Sequence, residues 1–234
     1  MRQIVLDTET TGLEASQGHR IIEIGCVEIL NRRLTERRYQ QYVNPQREID
    51  DGAAEVHGIT LADLAEKPGF GEVAVDFLDF IRGAELIIHN APFDIAFLNA
   101  ELALLGSAWG RTEDYCTVFD TLQLAREMHP GQRNSLDALC KRYAINNGHR
   151  ARHGALLDAE LLAEVYLAMT GGQAALALDP ARKSERQRAS ATRAVVRTAK
   201  LTVVAPHADE LEAHGRALAT IDDASHGKCA WLKQ

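Results

Sequence analysis

The chain has 234 residues, 46% of them hydrophobic, and a formal net charge of −7. That length supports one good core and an appendage, and no apolar run reaches the ~18 residues that would point to a membrane span. The negative charge argues against tight, sequence-independent DNA binding by bulk electrostatics, although acidic groups can hold divalent cations that bridge them to phosphates.

The chain begins Met1-Arg2-Gln3-Ile4-Val5-Leu6-Asp7 and meets charge too early for a signal peptide, so a cytoplasmic location is expected. Arg2 to Leu6 reads as a short strand. Ile21 to Leu30 starts as a continuous apolar run and then alternates, as a central strand does. Arg37 to Val43 alternates more weakly, as an edge strand does. Short connections make these three an antiparallel meander. Glu72 to Arg82 places Val73, Phe77, Phe80 and Ile81 on one helical face. Glu85 to His89 reads as a buried strand. Pro92, following Asn90, marks the start of a helix that stops at Gly106. Tyr115 to Phe119 is a further strand, with Asp120 or Thr121 able to cap the helix after it. Ser135 to Tyr143 and Ala155 to Met169 read as helices. The fold class is therefore α/β, a mixed sheet flanked by helices, over residues 1 to about 170.

Composition changes after Met169. Residues 171–200 are rich in Ala, Arg, Ser and Gln, lack aromatics, and read as a flexible linker. Between Ala181 and Lys200 seven basic residues stand against Glu185 alone, a local charge of +6 that leaves −13 for the rest. Apolar residues return at Leu201-Thr202-Val203-Val204, and an amphipathic stretch with Leu211, Leu218 and Ile221 follows. Residues 201–234 are too few to bury much surface alone and are expected to dock on a partner. Cys26, Cys116, Cys140 and Cys229 form no CxxC pair and read as core thiols.

Three short motifs carry the chemistry. Asp7 and Glu9, on alternate residues of a strand, point to one face. Adjacent carboxylates repel unless a cation lies between them, and a hard cation such as Mg²⁺ prefers oxygen ligands. Alone, the pair reads equally well as solvated acids. Asp94 falls in the first turn of a helix, where the dipole favours its ionised form; alone it reads as a dipole-stabilising acid. Asn90 could cap that helix or contact substrate, and His89 reads as packed. His153 and Asp158 would diverge by about 140° on one helix. Gly154 and the polar stretch before it place His153 instead in a loop just ahead of the helix. There it is accessible, as a general base should be, while Asp158 faces the core.

Strand ends and helix starts of one α/β sheet converge on one edge. Asp7, Glu9, Asp94 and Asp158 all occupy such positions. Four clustered carboxylates without cations would be strongly destabilising. Two divalent ions would neutralise them and organise an in-line phosphoryl displacement, with His153 taking the proton of the attacking water.

Asp-x-Glu, then Asn-x-x-x-Asp, then His-x-x-x-x-Asp resembles the histidine branch of the DEDD exonuclease superfamily, with its ribonuclease H-like fold. Asp7-Thr8-Glu9-Thr10-Thr11-Gly12, Val56-His57-Gly58-Ile59 and His89-Asn90-Ala91-Pro92-Phe93-Asp94 resemble, within it, the proofreading (epsilon) subunits of bacterial DNA polymerase III. The resemblance covers residues 1 to about 170. It implies two bound divalent ions, Mg²⁺ or Mn²⁺, held by Asp7, Glu9, Asp94 and Asp158. It makes His153 the base and has His57 help to hold the terminal nucleotide, with Asn90 beside it. The activity implied is a 3′→5′ exodeoxyribonuclease that releases nucleoside 5′-monophosphates from a single-stranded or frayed DNA 3′ end.

The same resemblance assigns partners. Gln173, Leu176 and Leu178 look like a short sliding-clamp-binding peptide. Residues 201–234 match the segment that binds the polymerase alpha subunit, with Trp231 a candidate anchor. A small accessory subunit on the catalytic domain is compatible with this picture. The site does not separate this reading from a free-standing exoribonuclease or oligonucleotidase of the same superfamily, which would share all five residues. A non-catalytic assembly subunit that has kept the fold is the third possibility.

Overall fold

The computed structural model describes residues 1–148, 153–171, 206–226, 229 and 231. The chain divides into two compact units, Met1–Leu176 and Ala177–Gln234. The Gln173–Leu178 peptide, the basic run and Leu201–Val204 lie outside the described residues.

The first unit is built on a five-stranded sheet of order β3-β2-β1-β4-β5. Its strands are β1 Arg2–Thr10, β2 Ile21–Leu30, β3 Arg33–Tyr42, β4 Glu85–Ile88 and β5 Thr117–Asp120. β1, β2 and β3 form the expected antiparallel meander, and β4 and β5 add in parallel on the other side of β1. β1 runs past its expected end at Leu6. Asp7, Thr8 and Glu9 continue the ladder opposite Gly25, Ile24 and Glu23. This continuation is the strand geometry that the alternate positions of Asp7 and Glu9 required, and the buried start of β2 pairs the backbone beside it. β3 begins four residues before its expected start. Asn31 and Arg32 both have positive φ (51° and 65°) and turn the chain between Leu30 and Arg33. Two such residues suit the twist of a hairpin, but arginine there carries no turn signal.

The helices are α1 Asp51–His57, α2 Leu61–Leu64, α3 Phe70–Ile81, α4 Ala91–Leu105, α5 Thr121–Met128, α6 Leu136–Arg142 and α7 Ala155–Gly171. α1 and α2 were not among the expected helices because they are short and carry no apolar period, although Thr60 and Asp63, the capping box of α2, are a local helix-start signal. On one sheet face Ile4, Leu6, Ile24 and Cys26 pack against Phe70, Phe77 and Ile81 of α3 and Phe97, Leu98 and Leu102 of α4. Each such side chain, fully buried, contributes roughly 1.5–3 kcal/mol. On the other face Val5, Val27, Ile29 and Ile87 pack against Ala159, Leu162, Ala163 and Tyr166 of α7. α6 covers the outer side of α7 through Leu139, Cys140, Leu161 and Val165. All four cysteines are buried thiols.

The second unit contains one described helix, α8 Ala208–Ala224. Leu211, Ile221 and the later Trp231 are exposed. Among the described residues no helix is long and apolar enough to cross a membrane.

Candidate active site

The sheet alternation decides where each acid points. Asp7 and Glu9 share the parity of Val5 and so face α7, while Thr8 shares that of Leu6 and faces α4. Asp7 is half-buried and Glu9 is buried.

α7 starts directly on β2. A Cβ on Gly25 would lie 2.2 Å from the Ala155 backbone, so only glycine permits this approach. Next to it, buried Glu23 accepts the Ala155 backbone N–H at 3.1 Å and the Gln40 Nε2 at 2.8 Å. Glu23 therefore satisfies an orphan N–H of the helix start and complements its dipole. Because Glu23 pairs in register with Glu9, this seat brings the first turn of α7 beside Glu9. Asp158 is 3% exposed there. His153 lies in the loop ahead of Ala155, as expected, with its side chain 43% exposed; its Nδ1 meets Asp158 Oδ2 at 3.1 Å. The His153 backbone N–H bonds the Val56 carbonyl at 3.3 Å, tying the loop to α1.

Glu9, His153 and Asp158 each offer one ligand atom, all within 4.8 Å of one another. Asp7 and Asp94 do not belong to that cluster. Asp94 lies on the α4 side, buried in the helix's first turn, where the Thr8 hydroxyl donates to its Oδ1 at 2.7 Å. Burial pushes its carboxyl up to about 7. The Thr8 hydroxyl and the backbone N–H groups of Asp94 and Thr8 oppose the shift, and Asp120 adds to it. A buried acid set of this kind, with a nearby imidazole, fits a divalent cation: oxygen donors predominate and the acids gain from a positive charge.

His57 ends α1 and is buried. Its Nδ1 accepts the Ile59 N–H at 3.0 Å. Burial lowers its pKa, with His153 adding to the effect and the Thr10 backbone opposing it. Among the described residues no group makes a hydrogen bond to its buried Nε2. A cleft of about 440 Å³ opens here, lined by Thr8, Glu9, Leu13, Val56, His57 and Phe93. Leu13 is 81% and Val56 48% exposed, so two apolar side chains stand at its mouth. Asn90 does not cap α4 through its side chain. It adopts a left-handed conformation (φ 69°), and its backbone N–H donates to Asp120 Oδ1 at 3.1 Å. Asn90 lines a second cleft. His89 is packed, its Nδ1 2.9 Å from Thr121 Oγ1.

Thr8, Glu23 and Gly25 were not anticipated. Thr8 stood only within the Asp7–Gly12 motif, and Glu23 and Gly25 only within the strand Ile21 to Leu30, with no role given to any of them. An acid and a glycine inside a buried strand were the available signal.

A sheet edge lined with acids and flanked by a nucleotide-sized cleft defines a nuclease, and the exonuclease family model matches residues 4–166. The chain is 50% identical to DNA polymerase III subunit epsilon of Escherichia coli, over 98% of this chain and 97% of that protein. The Pasteurella multocida subunit of the same name is also 50% identical, over 100% of this chain and 94% of its own. The chain belongs to this family of epsilon subunits. Among solved structures, exonuclease X in complex with 5′ overhanging duplex DNA is 26% identical, with a TM-score of 0.56, covering 72% of this chain and 91% of that one. The E. coli exonuclease I–single-stranded DNA complex shares the fold at a TM-score of 0.61 and 18% identity, over 74% of this chain and 41% of that one.

Proposed function

We propose that the chain is a proofreading 3′→5′ exodeoxyribonuclease of a replicative polymerase. It hydrolyses the 3′-terminal phosphodiester and releases a nucleoside 5′-monophosphate. The observation that carries this reading is the Glu9–His153–Asp158 cluster beside the His57 cleft.

Asp7, Glu9, Asp94 and Asp158 would hold two divalent cations, Mg²⁺ or Mn²⁺. When bound, such ions offset phosphate charge and acidify water. The residues then divide the work. With its proton on Nδ1, His153 donates to Asp158 Oδ2 3.1 Å away, and Nε2 is then the basic atom. His153 takes the proton of the attacking water. The water oxygen bonds to phosphorus as the bond to the 3′-oxygen breaks, and that oxygen is protonated from solvent. Leu13, Val56 and Phe93 offer apolar surface to the terminal nucleoside, and His57, neutral near pH 7, offers its ring. Selectivity needs no base reading: a mispaired end melts more easily, and a frayed strand enters a narrow cleft.

Association with the polymerase alpha subunit is assigned to residues 201–234, supported by exposed Leu211, Ile221 and Trp231. Clamp binding is assigned to Gln173, Leu176 and Leu178, and a small accessory subunit on the catalytic unit is compatible with this reading. Tethering would supply the effective concentration that an acidic enzyme lacks intrinsically. The test is release of mononucleotides from a 5′-labelled single strand by the full chain and by one lacking residues 173–234. Both should degrade the strand from its 3′ end with a divalent ion, and only the full chain should bind the polymerase. Degradation from the 5′ end, or a preference for RNA ends, would overturn the reading.

A further inference from the structure

We infer that the cleft lined by Asn90, Leu122, Arg126, Gln132, Asn134 and Ser135 is a second DNA subsite, one that holds a backbone phosphate upstream of the terminal nucleotide. This rests on the exonuclease reading above.

The cleft measures about 500 Å³. It opens beside the C-terminal ends of β4 and β5, the edge where the acid cluster also lies. The first turn of α4 borders both clefts: Asn90 lines one and Phe93 lines the other. A helical turn rises about 5.4 Å. Asn90 and Phe93 stand within one such turn, so a strand with its last nucleotide against Phe93 has the second cleft as its neighbour.

The chemistry of the second cleft suits a phosphate. Arg126 is exposed and forms no hydrogen bond or ion pair among the described residues. Arg133, adjacent to Gln132, is likewise exposed and its guanidinium forms none. Asp120, at the end of β5, already accepts the backbone N–H groups of Asn90 and Leu122 on one oxygen. His89, packed on Thr121, is kept neutral by burial, with Arg126 pushing in the same direction and the Asn134 backbone and Asp120 opposing. Arg126 therefore lines the cleft with no carboxylate paired to it among the described residues. In a chain of net charge −7, cations left unpaired beside an acidic site mark where a polyanion runs.

The experiment uses the full chain with His153→Ala, so that DNA is bound and not consumed, in Mg²⁺. Binding of 5′-labelled single strands of two and six nucleotides is followed by fluorescence anisotropy across a salt series. Extending the strand should tighten binding. Arg126→Ala should weaken six-nucleotide binding about 5–10-fold and make its logarithmic salt slope shallower by about 0.7, one phosphate's worth. Its effect on two nucleotides should be smaller. Arg126→Lys should recover part of the loss, because the point charge is kept and the planar fork is not. An Arg126→Ala protein with the parent's affinity and salt slope for six nucleotides would overturn the inference and leave the nuclease reading intact. A parent that binds no strand, with a His153-intact chain that releases no mononucleotide, would instead remove the nuclease reading and this inference with it.

Discussion

The Thr8 hydroxyl donates to Asp94 Oδ1 at 2.7 Å, joining the end of the central strand to the first turn of α4. Through this bond a residue whose side chain faces away from Asp7 and Glu9 fixes the one acid that reaches the site from the opposite sheet face. Thr8→Val keeps the shape and removes the donor. The loss should cost about 1–3 kcal/mol of stability, raise the Asp94 carboxyl further, and lower kcat roughly tenfold or more. The pH–rate profile is the check: its acidic limb should move to higher pH, whereas a packing defect alone would lower the profile uniformly.

Asp94 also sets the coupling between metal and pH. Its folded pKa of about 7 lies above the unfolded carboxylate value, so the native state holds the proton more tightly. Metal-free stability should therefore be fully supported by this group below about pH 4 and fall as pH rises through about 7. A divalent cation favours the ionised form and opposes that fall. Mg²⁺ or Mn²⁺ should raise Tm more at pH 8 than at pH 5, and chelator should remove the difference. Equal metal-induced shifts at both pH values would contradict the assignment of Asp94 as a ligand.

Gly25 and Ala155 test how α7 is seated. A methyl group on Gly25 would meet backbone atoms 2.2 Å away, where no flexible side chain can yield. Gly25→Ala should push the start of α7 off the sheet, lower Tm by several degrees, and reduce kcat by about 100-fold as Asp158 and His153 move away from Glu9. Glu23→Gln keeps an acceptor for the Ala155 N–H and should be milder on both measures.

The motifs were legible in the sequence because their chemistry depends on residue type at fixed local positions. The Asp7–Glu9 pair, Asp94 in a first helical turn and His153 ahead of a helix all stand where they were expected. What brings them together was not legible. The Glu23–Ala155 bond spans 132 positions and the Thr8–Asp94 bond 86, and neither has a local signature. The parity of β1 turns Asp7 and Glu9 toward α7 and Thr8 toward α4, so Asp94 meets the strand through Thr8, a relation that local sequence does not carry. The exposed Leu13 and Val56 carried no helical or strand period and became interpretable only at the mouth of a cleft.

His89 gives an acid-stability prediction away from the acid cluster. Burial lowers its pKa below the ordinary histidine value, so the unfolded chain binds the proton first. Stability should fall as pH drops below about 6.5 and level off once the folded pKa is passed. Denaturant melts between pH 8 and 5 should show this slope, and His89→Gln should reduce it. An unchanged slope in the variant would assign the acid sensitivity to other groups.

The most direct measurement of the account follows an internally labelled primer annealed to template, with its 3′ end either matched or carrying one terminal mismatch. The account predicts stepwise, metal-dependent loss of mononucleotides from the 3′ end, faster for the mismatched primer, and abolished by Asp7→Ala and by His153→Ala in folded protein. Release that persists in both variants, or no release from any 3′ end with Mg²⁺ or Mn²⁺ present, would contradict it.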